Sequence, residues 1–92
     1  MPRSAAVGKP LAPELHAELG RLARILYGQS ATVAAFRSAR ESVIRVEVPH
    51  RLMRVLVRRR MRLEDAANAA RQTLQAEIRQ SGQDVFRNVA QD

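Results

Sequence analysis

From Val43 to Val48 the chain alternates: Ile44, Val46 and Val48 fall on one side of an extended backbone, and Val43, Arg45 and Glu47 fall on the other. A two-residue period over β-branched residues is the signature of a strand. Pro49 ends it, because a proline nitrogen cannot donate to a ladder. A single strand has two unpaired edges, so it needs a partner, and a second copy of the chain can supply one. Folding back into Arg51–Val57 would also supply one, but Pro49-His50 offers no residue that readily takes positive φ in a two-residue turn. The pairing is therefore expected between copies, in a homodimer.

The rest of the chain reads as helix. Pro13 suits the first turn of a helix and Glu14 its positive end. Leu15, Leu19, Leu22 and Leu26 recur at helical spacing, and Gly28 is the expected stop. A second, alanine-rich helix is expected from a Ser30 cap to about Glu41, burying Val33 and Phe36. After Pro49 no proline or glycine occurs until Gly82. Leu52, Val55 and Leu56, then Leu63, Ala66, Ala67, Ala70, Leu74 and Ile78, keep a helical spacing interrupted at Arg58-Arg59-Arg60, which predicts two helices bent apart near residues 60–62. The expected fold is mainly α with one short β-strand, preceded by two N-terminal helices. Its regions are a basic arm at 1–12, a helical region at 13–42, a strand-helix-helix module at 43–82 and a docking turn or frayed tail at 83–92.

Charge points to the partner. The 92 residues carry a formal net charge of +7, and the run from Arg51 to Arg62 holds six arginines and no acid. A field of one sign opposes folding unless a polyanion shares it, so nucleic acid is the partner to consider first. On a helix Arg51, Arg54, Arg58 and Arg62 would form one stripe able to follow a phosphate backbone.

The segment VIRVEVPHRLMRVLVRRRMRLEDAANAARQTLQAEI, Val43 to Ile78, resembles the module of ribbon-helix-helix DNA-binding proteins. The resemblance implies an antiparallel ribbon formed by strands from two subunits, lying in the DNA major groove. Ile44, Val46 and Val48 would face the core, and Val43, Arg45 and Glu47 would face DNA, with Arg45 and Glu47 able to read base edges. The helices would run from His50 to about Arg59 and from about Leu63 to Arg79, with the start of the second, at Arg62, Leu63 and Glu64, anchoring a phosphate.

No nucleophile, base and orienting group assemble in the sequence, so neither an enzyme nor a cofactor is expected. His16 and His50 lack partners at metal-ligand spacing, and there is no cysteine for a disulfide or thiolate site. No apolar stretch is long enough to cross a bilayer and no signal-peptide core opens the chain, so a cytoplasmic protein is expected. The resulting reading is a dimeric, sequence-specific DNA-binding protein, a repressor or a plasmid or phage maintenance factor acting by binding and occlusion. The competing one is a helical protein-interaction module, such as an antitoxin, adaptor or inhibitor, meeting a protein partner through its N-terminal helices.

Overall fold

The computed structural model describes residues 10–91, with side chains described from 10 to 82. The N-terminal arm therefore lies largely outside the described residues. Helix α1 spans Pro13–Tyr27, strands β1, β2 and β3 span Thr32–Ser38, Glu41–Val48 and Leu52–Arg59, and helix α2 spans Leu63–Gln91. The strands form one antiparallel sheet in the order β1-β2-β3. This α+β arrangement replaces the expected mainly α fold with a single strand.

The first helix follows the sequence closely. Pro13 opens it, and it ends where Gly28 takes φ 105° and donates its N–H to the Arg24 carbonyl. Leu19 and Leu22 are buried, and Leu15 and Leu26 pack against the same core, so the leucine stripe is core rather than a groove for a partner.

The second N-terminal helix is absent; Thr32–Ser38 is strand β1, paired with β2 from Thr32 opposite Glu47 to Ser38 opposite Glu41. The loop between them is Ala39-Arg40, and Ala39 adopts φ 57° without being glycine. The first expected helix of the ribbon-helix-helix module is likewise absent, because Leu52–Arg59 is β3. The hairpin that joins it to β2 exists despite Pro49-His50. Its turn is closed by the Arg51 N–H donating to the Val48 carbonyl at 3.0 Å, with Pro49 second in the turn and His50 third at φ 62°. Proline followed by a positive-φ residue is the pattern of a type II turn, and histidine enters that region more readily than most side chains.

These pairings place β2 in the middle of the sheet with both edges satisfied inside one chain. The intersubunit ribbon is thereby excluded. Ile44, Val46 and Val48 do face the core, as the alternation implied, each at most 3% exposed. They meet Leu19, Leu22 and Ala23 of α1 and Ala66, Ala67, Ala70 and Leu74 of α2. The small alanine side chains let α2 lie close to the sheet, so both helices cover one face. On β3 the period slips: Arg45 pairs with Val55 but Ile44 pairs with Val57, leaving Leu56 as the extra residue of a bulge. Because of that slip Leu52 and Val57, five residues apart, share the helix-covered face. The second helix does begin at Leu63 as expected, but it runs on through Gly82, where a cap was expected, to Gln91. No helix among the described residues is long and apolar enough to cross a membrane.

The strain at Ala39 has a measurable sign. Positive φ costs an L-residue about 1–2 kcal/mol, and glycine gives back roughly 0.4–1 kcal/mol through its freer unfolded chain. Ala39→Gly is predicted to raise stability by about 0.5–1 kcal/mol, read as a higher urea midpoint at unchanged slope. A lower midpoint would show that the turn is unstrained.

Candidate nucleic-acid interface

The arginine run is not a stripe, because its helix is a strand and a strand sends neighbouring side chains to opposite faces. Arg51 lies in the β2–β3 turn with one guanidinium nitrogen 3.5 Å from the Tyr27 carbonyl. Arg58 points to the open face of the sheet and stands 3.6 Å from Glu41. Arg62, in the connection to α2, is exposed and 3.3 Å from Glu64.

Arg54 points the other way, onto the helix-covered face. Its terminal nitrogens donate to both carboxylate oxygens of Glu77 on α2, at 2.9 and 2.6 Å, and also to the Tyr27 hydroxyl at the end of α1. One guanidinium thus ties β3 to both helices. The bidentate pair holds the Glu77 carboxyl below its ordinary range and raises Arg54 above its own, against a smaller opposing effect of burial. The two side chains remain 39% and 35% exposed, so water screens them and the pair contributes about 1 kcal/mol.

Four further arginines were not singled out as contacts by the sequence pattern, and the fold brings them together. Arg37 is the next-to-last residue of β1, Arg40 sits in the β1–β2 turn, Arg59 ends β3 opposite Ser42, and Arg60 follows it. All four are exposed, and among the described residues none has a carboxylate within salt-bridge distance. The end of the sheet that carries them is tied to the β3–α2 connection. The fully buried Ser42 hydroxyl donates to the Met61 carbonyl at 2.6 Å, and Arg37 donates to the same oxygen at 2.8 Å. Helix α2 starts at this end, but Glu64 and Asp65 occupy its first turn, so the protein's own carboxylates answer the helix dipole. The positive charge on offer is therefore that of the guanidinium groups.

The open face of the sheet is a second surface. Neither helix covers it. Phe36, Val43 and Arg58 form one row across the three strands, and Ala34, Arg45 and Val55 form the next. Val43 has no exposure although it faces away from the helices, whereas Val55 and Met53 are 43% and 63% exposed. The Arg45 guanidinium lies 5.1 Å from the centre of the Phe36 ring, and its Nε donates to Glu47 at 2.6 Å. Arg45 and Glu47 thus stay on the outward face that the alternation assigned them, bonded to each other.

Elsewhere, an open groove of about 570 Å³ between α1 and the start of β1 is lined by Pro13, Ala17, Gly20 and Arg24 beside His16. His16 Nε2 is 2.7 Å from the Val33 carbonyl, so this ring is engaged by the sheet edge. No group of three His, Cys, Asp or Glu among the described residues is placed to hold a metal ion. No family model, curated protein or solved structure matches the chain.

The Arg54 clamp gives a pH prediction. A carboxyl depressed in the folded state stabilises the fold fully above its unfolded value, about 4.3, and that contribution is lost as pH falls through the folded value. Glu77→Gln is expected to cost about 1 kcal/mol at pH 7 and pH 5, with the gap from the parent closing below about pH 4. Urea denaturation at pH 7, 5 and 3 checks it, and a gap independent of pH would remove the ion pair as its cause.

Proposed function

We propose that this chain is a small nucleic-acid-binding domain whose backbone contacts come from the arginine-rich end of its sheet. The observation that carries the reading is the gathering of Arg37, Arg40, Arg59 and Arg60 from three segments to one end, with no carboxylate within salt-bridge distance among the described residues. Guanidinium groups not neutralised by a carboxylate gain most from phosphate, since binding releases counterions and provides a planar bidentate partner. Arg58 and Arg62 border the same end and extend it. Such contacts act by occupancy, which suits a protein that blocks access to nucleic acid, as a repressor does.

The reading differs from a groove-inserted ribbon in how many side chains serve each task. Arg54 is committed to the fold, and removing it is expected to lower stability more than binding. The phosphate contacts are expected from the four gathered arginines and supply affinity without base identity. Any sequence preference then has to come from a neighbouring surface.

Fluorescence anisotropy with a labelled oligonucleotide, repeated across a salt series, tests this. Arg40→Ala and Arg60→Ala should each weaken binding and each reduce the slope of log affinity against log salt by about 1. Absence of binding at low salt, or slopes unchanged in both variants, would overturn the proposal.

A further inference from the structure

The open face of the sheet adjoins the arginine-rich end, and the two together specify the form of nucleic acid. We infer that the ligand is a single strand whose bases lie on the open sheet face while its phosphates run along the arginine-rich end; this rests on the nucleic-acid reading above. The argument against a duplex is geometric. Strands about 4.8 Å apart make a three-stranded sheet about 14 Å across, whereas the major groove is about 12 Å wide and admits a helix or a two-stranded ribbon. With both strands of the β2 ladder fixed inside one sheet, no two-stranded ribbon stands free to enter it.

The argument for exposed bases is chemical. Base planes stack on aromatic rings and on guanidinium planes, and here the two are already layered, Arg45 over Phe36 at 5.1 Å. Glu47 engages Nε of Arg45 at 2.6 Å, which fixes the guanidinium without using its terminal nitrogens. Val55 and Met53, exposed beside it, extend the platform with apolar surface. Charge complementarity selects the occupant. Arg58 shares a cross-strand row with Phe36 and Val43, so the apolar floor ends in a guanidinium on its own face, while Arg37 and Arg59, in register with Ser42, leave the same end from the helix-covered side. The acids of this face, Glu41 and Glu47, are both held by its own arginines.

The experiment compares oligothymidylate of about 12 nucleotides, a length within the usual range for one small domain, with oligouridylate of the same length and with the blunt duplex of oligothymidylate and oligoadenylate. Binding to at least one single strand is expected to exceed binding to the duplex by about tenfold; the thymidylate and uridylate arms separate DNA from RNA. Arg45→Lys keeps the charge but loses the plane, so it should weaken single-strand binding by about tenfold while leaving the salt slope and the duplex affinity unchanged. Val55→Ser is a second variant of the platform and should weaken the single strand alone. Equal affinity for single strand and duplex, both insensitive to these changes, would overturn the single-strand inference and leave the arginine-rich end standing as a general polyanion site. No binding of any oligonucleotide at low salt would overturn both readings. A dimer in sedimentation that Val55→Ser dissociates would overturn the single-strand inference by assigning the face to a second copy.

Discussion

Strand β2 is the constraint on which the molecule depends. It is hydrogen-bonded along both edges, and Ser42, Val43, Ile44, Val46 and Val48 are all buried, so side chains on both its faces leave water. An interior strand of this kind needs neighbours on each side, and β1 and β3 are close enough in sequence to provide them through short turns. Once they do, one face is free to take both helices, and burial of the Ile44, Val46 and Val48 side chains contributes on the order of 1.5–3 kcal/mol each relative to exposure. The opposite face is left without a helix over it.

Much of this was legible wherever local chemistry and tertiary demand agree. Pro13, the leucine spacing and Gly28 delimit α1; the alternation from Val43 to Val48 marks β2 and sorts its side chains correctly between the two faces; and the helical spacing that begins at Leu63 marks the start of α2. The neighbouring strands were hidden for separate reasons. In β1 the run Val33-Ala34-Ala35-Phe36 carries two strong helix formers, and its membership of a sheet is decided by pairing with β2, which propensity does not register. In β3 the extra residue Leu56 breaks the two-residue period, so Leu52, Val55 and Leu56 fall at helical intervals by coincidence of a bulge. Both turns also use unsuspected residues, since Ala39 and His50 take the positive φ for which glycine or asparagine is the usual signal.

The proposed surface was legible in composition and only partly in position. The arginine run between residues 51 and 62 does contribute to the basic end, through Arg58, Arg59, Arg60 and Arg62, but strand geometry divides it between two faces. Arg54 could not be separated from its neighbours by spacing, because Glu77 is 23 residues away in the chain and only the fold brings the two together. Arg37 and Arg40 carried no signal while residues 32–38 read as helix. The alternation placed Arg45 and Glu47 together on one side of the strand, which does not depend on which strand it pairs with, whereas their facing DNA was implied only by the ribbon-helix-helix resemblance.

The turns at Ala39-Arg40 and Pro49–Arg51 have a consequence for how the chain reaches this state. Each joins strands adjacent in sequence, so the whole sheet closes through loops of minimal entropy cost, and its contact order is low for a protein with three strands. The long-span contacts are those that α2 makes with α1 and β1, exemplified by Arg71 and Glu18, 53 residues apart. The sheet can therefore form as a local unit, and the return of α2 across the chain is what converts a β-meander beside a helix into a closed core.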